Sequence, residues 1–153
     1  MKKISLIVYD FDGVMTDNKV YIDQNGNEMI KVNRADGLAI SEIKKLGIQQ
    51  IIMSTEENPV LSHRAIKLKI PCLQGIDNKK DTLLDYCLDN DIDIKHVVYI
   101  GNDINDKDAM MIAGITYCPA DAHNTIINIA DCVLTANGGN GVIRELFDIL
   151  FGN

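Results

Sequence analysis

Apolar residues fall along this chain in two alternating rhythms. Short, nearly continuous apolar runs occupy Ile4–Tyr9, Ile48–Met53, Val97–Ile100, Ile115–Cys118 and Cys132–Leu134. Runs of this length predict strands, and several are apolar on both faces, as in a parallel sheet covered by helices. Between them the apolar positions recur at helical spacing. Leu83, Leu84, Cys87 and Leu88 share one face of a stretch opened by Asn78, and Val142, Ile143, Leu146, Phe147 and Leu150 share a face of one opened by Gly141. Asp36 is the expected N-cap of a helix running to Leu46 and stopped by Gly47, and Asn58-Pro59 reads as an N-cap followed by proline at the first helical position. Phe151-Gly152-Asn153 reads as a short tail. The alternation predicts an α/β fold, a doubly wound, Rossmann-like parallel sheet.

One segment follows neither rhythm. "KVYIDQNGNEMIKV" alternates, turns on Asn25-Gly26 and alternates again, which predicts a β-hairpin between the first strand and the first helix, over about residues 18–33. The length of 153 residues suits one domain with a full core, and no linker, repeat or low-complexity tract divides it. With 46% hydrophobic and 24% charged residues the chain has the composition of a soluble globular protein. It has no apolar run long enough for a bilayer and no secretory leader, so the expected location is cytoplasmic, with no membrane partner. The net charge of -7 argues against a nucleic-acid partner. The four cysteines, Cys72, Cys87, Cys118 and Cys132, are widely spaced among apolar neighbours and read as buried free thiols, not a zinc site.

The charges that change the picture lie at strand ends. Asp10 and Asp12 close the first strand, and Asp103 and Asp106 follow the strand in "VVYIGNDIND". Ligands of an open α/β sheet bind at the carboxyl ends of its strands. Carboxylates converging there repel one another unless a hard, oxygen-seeking cation such as Mg2+ joins them. Taken singly, each acid near a turn is also a plausible solvated cap. Ser54 and Thr55 follow another strand and offer a hydroxyl to the same crevice. Lys79 and Lys80 lie in the first turn of a helix, where the dipole disfavours a cation. In isolation such a lysine reads as a solvated one on a flexible stem.

Other sites built from acids and glycines fit poorly. Gly13 follows Asp12 at once and Val14 takes the next ligand place, which is wrong for a calcium-binding EF-hand loop. Gly138-Gly139-Asn140-Gly141 has neither phosphate-loop nor dinucleotide-loop spacing. A receiver-type signalling module would need an aspartate at the end of a middle strand, where this chain has "IIMSTEE".

The order Asp-x-Asp, hydroxyl, lysine, Gly-x-Asp-x-x-Asp resembles the haloacid dehalogenase superfamily of phosphohydrolases. On the matching positions the resemblance implies Asp10 as nucleophile, Asp12 as acid/base, Ser54 and Lys79 as holders of the phosphoryl group, Asp103 as metal ligand, and Asn102 and Asp106 in support. It implies Mg2+ held by Asp10, Asp103 and Asp12, the last through its main-chain carbonyl, and phosphoryl contacts from the main chain at Gly13 and Val14. "DFDGVMTD", the hairpin, "ADGLAI", "YIGNDIND", "CPADAH" and "GGNGVIRE" together are similar to the small phosphatases of 2-keto-3-deoxy sugar acid phosphates. These include octulosonate 8-phosphate and nonulosonate 9-phosphate enzymes. The same module resembles the C-terminal domain of some animal CMP-sialate synthetases, where a non-catalytic assembly role is the alternative.

The octulosonate enzymes usually carry Thr-Gly-Arg where this chain has Ser54-Thr55-Glu56. The nonulosonate branch resembles this chain there, with glutamate and lysine matching Glu56 and Lys67. A substrate site of Glu56 paired to Lys67, with Arg64 on the same helix face for the keto-acid carboxylate, is the expectation. The gaps between Asp12, Ser54 and Lys79 are too short for a cap domain, so a roof over the site is expected from a neighbouring subunit. The resemblance implies a homotetramer with the hairpin at its interface and a small-molecule sugar acid phosphate as substrate.

Overall fold

The computed structural model describes residues 3–152. Six parallel strands form one sheet in the order β5-β4-β1-β6-β7-β8. They are β1 (Leu6–Tyr9), β4 (Gln49–Met53), β5 (Cys72–Leu73), β6 (Val97–Ile100), β7 (Ile115–Cys118) and β8 (Cys132–Val133). β1 lies at the centre, with Leu6 in register with Gln49 on one side and Val97 on the other. The chain builds outward from β1 in one direction through β4 and β5, then returns and builds outward through β6, β7 and β8. The reversal of strand order beside β1 opens a crevice at its carboxyl end.

Helices cover both faces. They are α1 (Arg34–Lys45), α2 (Pro59–Leu68), α3 (Lys79–Asp89), α4 (Lys107–Met110), α5 (Asn124–Ile129) and α6 (Val142–Phe151). Side-chain alternation divides β1 between two cores. Ile7 and Tyr9 pack with Ala39, Ile40 and Ile43 of α1 and with Ile143 and Leu146 of α6. Leu6 and Val8 pack with Leu83 and Cys87 of α3, Ala109 and Met110 of α4 and Ile126 of α5. Every residue of β1 and β6 is fully buried, which is why both strands read as unbroken apolar runs. No helix among the described residues is long and apolar enough to cross a membrane.

The helix ends follow local chemistry, with one exception. Asn58 accepts from Val60 N with Pro59 at the first position of α2, and Asn78 accepts from Asp81 N at the start of α3, as the sequence predicts. Asp36 does not cap α1. Asn33 does, accepting from Ala35 N, and α1 starts at Arg34. Asp36 instead lies buried in the first turn, with its Oδ1 accepting from Ile143 N and Arg144 N of α6. α6 begins at Gly141, which has no side chain to offer, so a carboxylate from the first third of the chain supplies the cap of the last helix.

The hairpin forms, though shorter than its alternation suggests. β2 (Tyr21–Ile22) and β3 (Glu28–Met29) pair antiparallel around a turn in which Asp23 accepts from Asn25 N and Asn27 N, and Gly26 takes φ +80°. Val20, Tyr21, Ile22 and Met29 leave their apolar side chains in solvent. The expected tail is part of α6 as far as Phe151, whose ring packs 5.8 Å from that of Phe147. Asn153 lies outside the described residues.

Candidate active site

The carboxyl ends of β1, β4 and β6 meet at a cleft of about 360 Å³ lined by Asp10, Asp12, Asn18, Ser54, Thr55, Asn102, Asp103, Ile104 and Asn105. Asp10 directly follows β1, and its N–H still pairs with Ile100 O, so the nucleophile candidate is fixed to the sheet itself. The chain then turns sharply, with Val14, Met15 and Thr16 N–H groups all donating to Phe11 O. Gly13 makes this turn possible in two ways. Its φ is +86°, and a Cβ there would stand 1.9 Å from Asn102 Nδ2. The β1 turn and the β6 loop are therefore packed against each other at the cleft floor.

Lys79 is not solvated. It is buried, and its Nζ lies 2.7 Å from Asp10 Oδ1 and 2.6 Å from Asp106 Oδ1. The unfavourable position at the start of α3 is offset by two anions. Burial pulls the Lys79 pKa down, but the charges of Asp10 and Asp106 outweigh it and hold it above the ordinary value. Asp106 is buried completely and accepts four hydrogen bonds, from Lys79 Nζ, Tyr99 Oη, Asn102 N and Asp103 N. A Cβ on Gly101 would strike Asp106 Cβ at 2.6 Å, so this tight loop also depends on a glycine.

The cluster carries more negative charge than one lysine neutralises. Asp10 is raised to about 7, mainly by burial and then by Asp106, against the opposing pull of Lys79. Asp12 is raised by burial, then by Glu56, with Thr16 opposing and Glu28 adding to the rise. Asn102 Oδ1 is a buried acceptor with no hydrogen-bond partner among the described residues. An all-oxygen donor set with a surplus of negative charge and an unpartnered amide oxygen fits a hard divalent cation. Asp10, Asp103 and the Asn102 amide oxygen are the groups on hand to hold one or its water. No three His, Cys, Asp or Glu side chains among the described residues converge as a metal-holding group. Asp12 lines the cleft with Asp10 and Asp103, and its main-chain carbonyl is the metal contact that the family resemblance implies.

Ser54 is buried at the end of β4, lines the cleft, and its Oγ accepts from Glu56 N at 3.1 Å. The main-chain groups expected to hold a phosphoryl group are otherwise engaged. Gly13 N donates to Thr16 Oγ1 at 3.2 Å and Val14 N to Phe11 O at 3.3 Å, both long bonds that close the turn.

The expected substrate trio is not assembled within one chain. Glu56 lines an adjoining pocket with Asp12, Asn18, Glu28 and Asn58, but it forms no ion pair with Lys67 among the described residues. Its Oε1 accepts from Glu57 N and Asn58 N, two of the open donors before α2. Lys67 sits in the last turn of α2, about 12 Å along the helix axis from its start. Arg64 donates to Asn33 O and joins Lys67, Arg34, Lys44 and Lys69 around a basic groove between α1 and α2 that shares no residue with the cleft. Sequence reasoning passed over Tyr99, Asn18 and Asn105. Only Tyr99 left a signal, a phenol in an otherwise apolar strand.

Comparison with known proteins places the chain among phosphohydrolases. Residues 72–146 match the family model described as haloacid dehalogenase-like hydrolase. The 3-deoxy-D-manno-octulosonate 8-phosphate phosphatase of Haemophilus influenzae is 30% identical over 98% of this chain and 84% of its own length. The enzyme of the same name from Escherichia coli K12 is 33% identical over 97% of this chain and 80% of its own. Among solved structures, the same phosphatase from Moraxella catarrhalis, in complex with magnesium, phosphate and KDO, superposes with a TM-score of 0.92 at 28% identity, over 95% of this chain and 84% of that one.

Proposed function

The chain belongs to the haloacid dehalogenase-like hydrolases, and from that premise we propose that it is a Mg2+-dependent phosphatase of a 2-keto-3-deoxy sugar acid phosphate. The observation that carries this reading is the buried pairing of Asp10 with Lys79 at the carboxyl end of the central strand. A carboxylate and an ammonium kept out of water at that place suit attack on a phosphate better than they suit scaffolding, where such a pair costs stability.

Asp10 Oδ attacks phosphorus in line with the leaving sugar oxygen, giving an aspartyl phosphate. Asp12 donates its proton to that oxygen, then takes one from the water that cleaves the intermediate. Its raised pKa suits a group that must begin protonated. Lys79 and Ser54 hold the phosphoryl oxygens, and Gly13 N and Val14 N join them only by giving up the long bonds of the turn. Asp10, Asp103 and the Asp12 carbonyl would hold Mg2+, whose positive charge would let an anionic phosphate approach a cluster of acids.

For the sugar, the preferred reading is a nonulosonate 9-phosphate. Glu56 supports it. The carboxylate lies beside Asp12, close enough to raise its pKa, and the resemblance to the nonulosonate branch rests on a glutamate at this position. The second reading, octulosonate 8-phosphate, is favoured by the names of the relatives at 30–33% identity. Arg64 and Lys67 line a groove that shares no residue with the cleft, and would meet a substrate from a second copy of the chain. The exposed apolar hairpin is the surface on which such copies would join, as a homotetramer. Measuring kcat/KM for both sugar phosphates, in the native protein and in Glu56→Ala, tests the choice. A nonulosonate preference that falls roughly 5- to 100-fold in Glu56→Ala, the worth of one hydrogen-bonding partner that the bound sugar would cover, is the expected result. Better turnover of octulosonate 8-phosphate with an unchanged ratio in the variant would refute it.

A further inference from the structure

Tyr99 lies in the apolar layer beneath the sheet, packed with Leu6, Val8, Met53, Leu83, Val97 and Cys118. A phenylalanine would fill this place equally well. The hydroxyl has one hydrogen bond, donated to Asp106 Oδ1 at 2.9 Å. The same oxygen accepts from Lys79 Nζ, while Asp106 Oδ2 accepts from Asn102 N and Asp103 N. All four acceptor sites of the carboxylate are filled, so Asp106 has no lone pair to give to substrate or metal. It is a buried anchor, and three of its four bonds come from the strand and loop of β6.

We propose that Tyr99 is a positioning residue for phosphoryl transfer, holding Asp106 Oδ1 so that the remaining N–H of Lys79 points at the phosphoryl group. An ammonium has three donors. Two of those on Lys79 go to Asp10 and Asp106, which leaves one for the incoming phosphate, in a direction set by the other two. Without the phenol, Asp106 Oδ1 has Lys79 as its sole partner and draws the ammonium toward itself, away from Asp10. The hydroxyl is suited to this task because it adds a donor without a charge. Burial, then Asp106 and Asp10, raises its pKa well above the ordinary value, so it stays protonated.

The test is Tyr99→Phe, which removes one oxygen and leaves the packing. Phosphate release from p-nitrophenyl phosphate and from both sugar acid phosphates, with Mg2+, should show kcat reduced about 5- to 30-fold and KM changed less than about twofold, since a misaimed donor is missed most in the transition state. The thermal midpoint should move little. In an Asp106→Asn background the same change should have no further effect, because the anchor it acts through is gone. Should Asp106→Asn not fold, Lys79→Arg closes the same cycle. Undiminished kcat in Tyr99→Phe, a loss confined to KM, or losses that multiply independently in the double variant would each overturn the proposal. It rests on the phosphatase reading, and the two fail separately. A native protein that releases no phosphate sinks the reading, whereas an active native protein with an equally active Tyr99→Phe sinks only the role of Tyr99.

Discussion

Lys79 Nζ stands 2.7 Å from Asp10 Oδ1 with the two side chains 1% and 6% exposed. An ion pair this dry at the end of the central strand opposes the fold's stability, because Asp10 must also share its surroundings with Asp106. Asp10→Asn should therefore separate function from stability. Turnover should fall by on the order of 10³-fold or more, since the amide is a poor nucleophile within a unit that acts together. Thermal unfolding should occur at the same temperature or higher, because the change removes a carboxylate that the site holds at a raised pKa. Activity near the native level in the folded variant would exclude attack by Asp10.

The surplus of acid at the cleft leads to a metal test. Chelation should abolish phosphate release and Mg2+ should restore it. Titration calorimetry should show Asp103→Ala with the largest loss of Mg2+ affinity and Asn102→Ala with a smaller one, as expected for a carboxylate against a neutral amide oxygen. Normal turnover after chelation would mean that these oxygens serve only the loop.

In the first turn of α1, the buried Asp36 carboxylate caps α6. Asp36→Ala should lower stability by about 1–2 kcal/mol through the lost cap. Its pH dependence has a definite sign. Burial raises Asp36 to about 6, against the N–H bonds from Arg144 and Ile143 and the charge of Arg64. An unfolded aspartate titrates near ~4. Between these values the folded chain keeps a proton that the unfolded chain has lost. The contribution is thus full below pH ~4 and lost as pH rises through about 6. Native stability relative to Asp36→Asn, followed by urea unfolding, should decline by on the order of 1–3 kcal/mol from pH 4 to pH 7. A difference that is flat with pH would show that Asp36 stays ionised throughout.

Exposed Tyr21, Ile22 and Met29 on the hairpin bear on assembly. If four copies join there, light scattering should give a tetramer, and Tyr21→Asp with Ile22→Asp should give smaller species with weakened turnover, as the cleft loses its roof. A native monomer at working concentration would remove the hairpin from any role in covering the site.

Much of this was readable in the chain. Val97–Ile100 matches its strand residue for residue, because a strand buried on both faces leaves few polar positions to blur its ends, and Ile115–Cys118 matches as well although Thr116 interrupts its apolar run. The short helices α4 and α5 were not read, since four and six residues hold too little of a helical period. Asp36 was misread because local capping rules see only the helix that follows, and its partners lie 107 and 108 residues away. Asp10, Asp12, Ser54 and Asp103 line one cleft, as expected of residues at the carboxyl ends of parallel strands. Lys79 reads as solvated only in isolation; the motif resemblance assigns it to the site, and the structure buries it between Asp10 and Asp106. Glu56 and Lys67 read as partners through the family resemblance, although the helix opened by Asn58-Pro59 sets Lys67 about two turns beyond Glu56.

The bond from Asp36 to α6 also sets an order of events at the ribosome. The carboxylate emerges 107 residues before the amide of Ile143 that it will bind. At roughly 5–20 residues per second, that is a wait of about 5–20 seconds. Through that interval the face of α1 carrying Ala39, Ile40 and Ile43 lacks its α6 cover, and Asp36 stays in water as an ordinary anion. The nascent chain can lay β4 beside β1, yet the layer behind them stays open until the last helix has been made. A chaperone that grips short apolar helices would find its longest opportunity there, in the stretch of chain that leads away from the nucleophile.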